Sequence, residues 1–264
     1  MDTILDRLAA HARERVQADK AKMSLDELKR LCAKGAAPKR EPFAFETALR
    51  KPGLSFICEI KKASPSKGVI SEAFPYLDIA REYEAAGADC ISCLTEPKWF
   101  LGSDRIFSEV RAVVDVPMLR KDFTVDEYQI YQAKRMGADA VLLLCALLDG
   151  DAIRRYLALC DALGLSALVE AYDAAELNTA IETGARVIGV NNRNLKDFSV
   201  DTGNSGRLRA VVPAGVLFVS ESGVRSAEDV RAIAESGADA VLIGETLMRE
   251  PDKKAMLDRF RGAL

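Results

Sequence analysis

One phrase recurs four times along this chain: AAGADCISCLTE, RMGADAVLLLCA, ETGARVIGVNNR and ESGADAVLIGET. Each reads as a helix stopped by glycine, a short link, and an apolar run that ends in polar residues. The glycines, Gly87, Gly137, Gly184 and Gly237, follow one another at intervals of 50, 47 and 53 residues. Glycine is the usual left-handed stop of a helix. The leucine-rich and β-branched run behind it suits a strand buried on both faces. In a closed barrel of about 250 residues, one strand–helix unit takes roughly 30. A period near 50 therefore spans two units.

The alternate strands lie between the repeats, as LSFICEI (54–60), VPMLRK (116–121), LSALVE (165–170) and VLFVSES (216–222). Eight strands result, with helices predicted at 126–136, 150–163, 173–183 and 226–236. The pattern predicts an α/β fold, a (β/α)8 TIM barrel, over a single domain of residues 1–264. A doubly wound open sheet is the alternative, but no G-x-G-x-x-G turn is present to support it. Residues 1–48 stand outside the repeat. They read as amphipathic helices at 1–19 and 24–34, then a polar link through Pro38 and Pro42 to Leu49. Such a segment is too short and too charged for its own core, so an N-terminal helical extension is expected rather than a second domain.

A net charge of −3 gives no reason to expect nucleic acid or an anionic membrane as partner. There is no apolar run long enough to span a membrane, and MDTILDRLAAHARERV lacks a signal-peptide core. A cytoplasmic protein is expected. Cys58, Cys90, Cys93 and Cys145 sit in apolar runs, where a reduced thiol acts as a small hydrophobe. Cys90 and Cys93 form a C-x-x-C, but residues three apart on a strand point to opposite faces, which favours packing over metal or redox chemistry. The sole histidine, His11, lies in the N-terminal helix, which argues against a His-based triad or multi-His metal site.

In such a barrel the chemistry sits at the carboxyl ends of the strands. Those ends carry Glu59 and Lys61, Thr95 and Glu96, Lys121 and Asp122, Cys145, Glu170, Asn191 and Arg193, Glu221 and Ser222, then Gly244 and Glu245. Glu59 and Lys61 are two apart, so an extended strand points both to one side. Lys121 and Glu170 follow buried apolar runs, where charge is costly unless it is used. Each also has a plainer reading: Asn191 as a turn cap, Asp122 as a salt-bridge partner, Glu221 as an orienter of a lysine. The last two loops, SESGVRS and LIGET, each hold a glycine that lets backbone N–H groups approach an anion. Gly223 and Gly244 are thus phosphate-site candidates. KASPSKG (62–68) adds hydroxyls and a lysine on the first loop.

The phrases CEIKKASPSKG (58–68), LTEPKWFLGS (94–103), PMLRKDF (117–123), ALVEA (167–171), IGVNNRNL (188–195), SESG (220–223) and AVLIGETLM (240–248) closely resemble the indole-3-glycerol phosphate synthase family. The resemblance runs from about residue 3 to the C-terminus. It implies conversion of 1-(2-carboxyphenylamino)-1-deoxyribulose 5-phosphate to indole-3-glycerol phosphate with loss of carbon dioxide and water. It also implies a carboxy-lyase of tryptophan biosynthesis with no metal and no organic cofactor. Lys121 would be the general acid, Lys61 would grip the anthranilate carboxylate, and Glu59 would position or tune a lysine. Glu170 matches the proton relay of dehydration, shared in part with Lys61. Asn191, Glu221 and Ser222 would orient hydroxyls and developing charge. Gly223, Gly244 and neighbouring N–H groups would take the phosphate, with Ser64, Phe123, Arg193 and Glu245 close to the ligand.

The chain departs from the commoner family pattern at Ala171–Tyr172–Asp173 and at Asn194, which puts loop packing near Glu170 and Arg193 in question. The expected partner is a small anionic sugar phosphate, bound by a monomeric, monofunctional protein. Two other readings stay open: phosphoribosylanthranilate isomerase, with Cys58 as its base, and a non-catalytic ligand-binding barrel.

Overall fold

The computed structural model describes residues 3–35, 40–194 and 198–264. Eight parallel strands form a closed barrel: β1 Ser55–Ile60, β2 Cys90–Leu94, β3 Met118–Lys121, β4 Ala140–Leu144, β5 Ser166–Ala171, β6 Val187–Asn191, β7 Leu217–Glu221 and β8 Ala240–Ile243. Neighbours pair in chain order, and β1 closes the ring by pairing β2 and β8, with Ile57 beside Cys90 and Ser55 beside Ala240. The two-unit period of the glycines is thereby accounted for: β2, β4, β6 and β8 carry the repeated phrase, and the strands between them carry the other apolar runs. A small antiparallel hairpin, Ala63–Ser64 against Gly68–Val69, sits in the loop after β1.

Helices follow the strands. Three precede the barrel, α1 Ile4–Lys22, α2 Leu25–Ala33 and α3 Ala44–Leu49. Around it run α4 Tyr76–Ala85, α5 Asp104–Arg111, α6 Glu127–Met136, α7 Gly150–Leu163, α8 Ala174–Glu182, α9 Asn204–Arg209 and α10 Ala227–Glu235. After β8 come α11 Glu245–Arg249 and α12 Lys253–Arg261. The starts are chemically marked: Ser103, Asp126, Asp149, Asp173 and Ser226 each accept a backbone N–H at a helix N-terminus. The stops at Gly137 and Gly164 have φ of 81° and 68°, which costs glycine nothing.

The period of two divides each strand between two cores. Ile57, Cys90, Leu119, Leu142, Leu168, Val187, Val219 and Leu242 form one buried cluster inside the barrel. Phe56, Cys58, Ile91, Cys93, Val141, Val169, Ile188, Phe218 and Val241 belong to another, against the helices. Cys90 and Cys93 thus fall in different clusters, and all six cysteines are free thiols.

The link through Leu49 is not irregular throughout, since it contains α3. Its six residues carry no side-chain cap, and Phe43 enters the helix left-handed, with φ of 56°, so no local signal announces it. Pro38 lies outside the described residues, as do the first two positions of the helix expected at 1–19. The extension holds the barrel at both ends. Near the strands' carboxyl ends, Arg15 of α1 donates to both Asp122 carboxylate oxygens at 3.1 and 2.7 Å, and His11 Nδ1 lies 3.0 Å from Glu96. At the other end, Phe43 N–H donates to the Gly164 carbonyl, and Glu46 is paired with Arg186 at 2.9 and 3.0 Å. Phe45 and Leu49 are fully buried within the interior cluster. Among the described residues, no helix is long and apolar enough to cross a membrane.

Candidate active site

The strand register that buries Ile57, Leu119, Leu168, Val187, Val219 and Leu242 also aims the residues two further on into the barrel mouth. These are Glu59, Lys121, Glu170, Gly189, Glu221 and Gly244. All but Gly189 line a cavity of about 1010 Å³. Lys121 Nζ lies 2.8 Å from Glu170 Oε2 and 2.6 Å from Glu221 Oε2. Since β3 and β7 are diametrically placed in the ring, the second bond spans the barrel interior. Asn191 Nδ2 donates to Glu170 Oε1 at 2.9 Å. Beside this cluster, Lys61 Nζ pairs with Glu59 Oε1 at 2.5 Å, and Ser92 Oγ donates to Glu59 Oε2 at 3.5 Å.

Glu59, Glu170 and Glu221 are 4%, 5% and 2% exposed, so their charges interact with little help from water. Burial alone would lower the Lys121 ammonium's pKa, but Glu170, Glu221 and Glu59 outweigh it and hold the lysine firmly protonated. Burial pushes the Glu170 carboxyl up, while Lys121 and Asn191 prevail and keep it below its ordinary value. Glu221 goes the other way: burial, joined by the charges of Glu170 and Glu59, raises its pKa to about 8 despite Lys121. Among the described residues, no donor reaches its buried Oε1. The cluster therefore holds a fixed cation, a fixed anion and a carboxyl that takes or gives a proton near neutral pH.

Two glycines make room for these groups. A Cβ on Gly189 would stand 2.1 Å from Glu221 Oε1, and one on Gly244 would stand 2.4 Å from Glu59 Oε1 and 2.8 Å from Lys61 Nζ. Gly244 was expected as a phosphate contact, and it borders the Glu59–Lys61 pair as well. Gly189 is not among the strand-end residues that spacing marks. Its signal is a glycine in the middle of a buried strand, where only close approach explains it.

Ser64, Phe123, Arg193, Ser222, Gly223 and Glu245 line this cavity as well, whereas Thr95, Glu96 and Cys145 do not. Phe123 and Phe100, with ring centroids 6.0 Å apart, form an aromatic wall. Ser222 and Gly223 are both left-handed, with φ of 68° and 93°. Arg193 donates to the Phe198 carbonyl at 3.2 Å. The Glu245 carboxylate lies between two cations, 3.1 Å from Arg249 and 3.8 Å from Lys67. Lys67, the first-loop lysine of KASPSKG, lines the cavity, as do Phe100, Arg225 and Arg249, which the strand ends do not single out because each sits in a loop or helix beyond them.

Other strand-end groups serve structure. Asp122 borders the cavity, but its carboxylate is taken by Arg15, Arg120 and Thr95. Glu96 accepts the N–H groups of Lys98, Trp99 and Phe100 and so shapes the loop bearing the aromatic wall. Cys58 is fully buried among residues packed against the helices, and burial pushes its thiol far up. It cannot act as a base in the barrel mouth. Among the described residues, no group of His, Cys, Asp and Glu is arranged to hold a metal ion.

Residues 5–260 match the family profile described as indole-3-glycerol phosphate synthase. An indole-3-glycerol phosphate synthase of Ruminiclostridium cellulolyticum is 56% identical over 260 residues, covering 98% of this chain and 99% of the relative. One from Lacticaseibacillus paracasei is 49% identical over 258 residues, covering 98% of each. Among solved structures, a thiamine phosphate pyrophosphorylase from Pyrococcus furiosus superposes with a TM-score of 0.60 at 16% identity, over 80% of this chain and 94% of its own, a likeness of fold alone. The profile and the relatives reach from the extension to the last helix, and on that basis the chain belongs to the indole-3-glycerol phosphate synthase family.

Proposed function

We propose that this chain catalyses the reaction of its family, ring closure of 1-(2-carboxyphenylamino)-1-deoxyribulose 5-phosphate to indole-3-glycerol phosphate. The observation that carries the proposal is Lys121 held between Glu170 and Glu221, beside the Lys61–Glu59 pair, under an aromatic wall. An aryl ring, a ketone and a phosphate need such a cavity: apolar on one side, proton-bearing at the base, and open to backbone N–H groups on the other.

In the first step the ring carbon bearing the carboxylate bonds to the sugar ketone carbon, and the ketone oxygen takes a proton from Lys121. The carboxylates keep Lys121 protonated until negative charge builds on that oxygen, so the proton moves only as the bond forms. The bond to the carboxylate then breaks, carbon dioxide leaves, and its electron pair restores the aromatic ring. Last, the new hydroxyl leaves as water with a proton from Lys61, while Glu170 takes a proton from the neighbouring methylene. The sum consumes one proton and balances without a metal or organic cofactor. Lys61 also faces the substrate carboxylate before it departs, and Asn191 keeps Glu170 aimed. Glu221 holds Lys121 from across the barrel. The left-handed Ser222–Gly223 turn and Gly244, with Ser64 and Arg193 nearby, form the phosphate end.

The same reading takes residues 1–264 as one domain, since Leu5, Leu8, Phe45 and Leu49 share the barrel's interior cluster. It also takes the protein as a cytoplasmic monomer acting on a small anion. The test is fluorescence detection of indole product from purified protein and the carboxyphenylamino-deoxyribulose phosphate, in chelator, beside Lys121→Ala. Wild type should turn over, and the variant should be about 10²- to 10⁴-fold slower. A folded wild type that forms no indole product, or a fully active Lys121→Ala, would sink the proposal.

A further inference from the structure

Beneath the cavity, the loop after β6 supports the loop after β7. Asn192 is 1% exposed and sits at the crossing. Its Nδ2 donates to the Ser222 carbonyl at 3.0 Å and to Ser220 Oγ at 3.3 Å. Its Oδ1 accepts the Ser205 N–H at 2.9 Å, and Ser205 Oγ lies 2.8 Å from Ser220 Oγ. The Asn192 backbone is tied down too, donating to the Glu221 carbonyl and accepting from Asp201, each at 2.8 Å. Above this buried network, Ser222 adopts a φ of 68°, which a residue with a side chain takes only when its surroundings compel it.

The direction of that hydrogen bond has a consequence. In a trans peptide the C=O and the following N–H point opposite ways, and the described residues contain no cis peptide. The Ser222 carbonyl points down to Asn192, so the Gly223 N–H points up, toward the cavity that both residues line. Among the described residues, no acceptor takes that N–H. A Cβ on Gly223 would stand 2.9 Å from Thr202 Cγ2 and 3.3 Å from Val200 Cγ1, so side chains of the preceding loop crowd the turn.

We infer that Asn192 is a positioning residue for anion binding: its amide orients the Ser222–Gly223 peptide so that the Gly223 N–H meets the phosphate group. The inference rests on the reading of this loop as the phosphate end of the cavity. Asn192 touches neither substrate nor the reacting atoms, so its loss should weaken binding far more than it slows chemistry.

The experiment measures inorganic phosphate as the probe, both by competitive inhibition and by titration of ¹⁵N-labelled wild type. In Asn192→Ala, the phosphate inhibition constant and the substrate KM should rise about 10- to 100-fold, what one charge-assisted hydrogen bond carries. The turnover number should fall by far less. In wild type, the Gly223 amide proton should shift as phosphate saturates the protein, a readout independent of whether the variant folds. Unchanged phosphate affinity in folded Asn192→Ala, or a Gly223 amide indifferent to saturating phosphate, overturns the inference. Wild type that turns over substrate while its phosphate affinity ignores residue 192 overturns this inference alone. Wild type that makes no product yet binds phosphate through Asn192 overturns the proposed reaction and leaves the inference standing. A wild type on which phosphate has no saturable effect overturns this inference, and only its turnover decides the proposed reaction.

Discussion

Gly189→Ala should damage activity much more than stability, for a reason that can be followed atom by atom. The added Cβ would lie 2.1 Å from Glu221 Oε1 and 3.1 Å from Leu168 Cδ1. Leu168 can yield by a small rotation, but the carboxylate must retreat by about 1 Å, and it is fully buried. Retreat lengthens or breaks its 2.6 Å bond to Lys121, which then leans on Glu170 alone. Misplacement on that scale costs about 10²-fold in rate when the displaced group aims an acid. The overpacking itself costs about 1–3 kcal/mol, a few degrees in Tm for a chain of this size. The assay is kcat and KM by indole fluorescence, beside a thermal melt. A sharper version adds Glu221→Asp, which withdraws the carboxylate by about 1.5 Å, one C–C bond, and restores room for the methyl. The double variant should then lose less than the two singles combined, by at least about 0.5 kcal/mol in activation free energy. Wild-type turnover in Gly189→Ala, or strict additivity in the double variant, would refute the steric argument.

Glu221 also leaves a mark on stability against pH. Its folded pKa, raised to about 8, exceeds the ordinary carboxyl value of 4.5, so between those values the folded state holds more proton than the unfolded chain. Stability from this group is complete at lower pH and falls as pH rises through that window, with a slope of at most about 1.4 kcal/mol per pH unit. Denaturant melts of Glu221→Gln should show a flatter decline from pH 5 to 8, and an unchanged slope would count against the assignment. Asp122 has the opposite sign: burial raises its pKa, but Arg120 and Arg15 prevail and depress it, so its contribution is lost only as pH falls. Arg15→Ala should cost about 1–3 kcal/mol at neutral pH and move acid unfolding to higher pH; wild-type acid stability would exclude a role for this clasp.

The barrel was legible because each βα unit must end a helix, cross back and bury a strand, and glycine followed by an apolar run records all three. The candidate site was legible for a related reason: Glu59, Lys121, Glu170 and Glu221 are charges at the ends of buried runs, and their strand parity points them inward together. What the sequence did not reveal is of two kinds. The helix Ala44–Leu49 forms because Phe45 and Leu49 find places inside the barrel, a tertiary cause without a local pattern. Asn192 and Phe100 matter through what lies across from them in space, and linear spacing carries no trace of it. Lys67 and Arg249, gathered on Glu245, likewise meet only once the first and last loops are brought together.

The segment that seals the barrel floor emerges from the ribosome long before anything it can seal. Glu46 bonds Arg186, 140 residues later, and its N–H donates to Ser166, 120 residues later. At about 5–20 residues per second, the nascent chain waits on the order of ten seconds between making Phe45 and making its partners. Through that interval β5, against which α3 packs, is not yet made, and the native seat of α3 stays incomplete until β5 and β6 are. The helix Ala44–Leu49, made early, is therefore seated late, and its apolar side needs shelter while the chain grows.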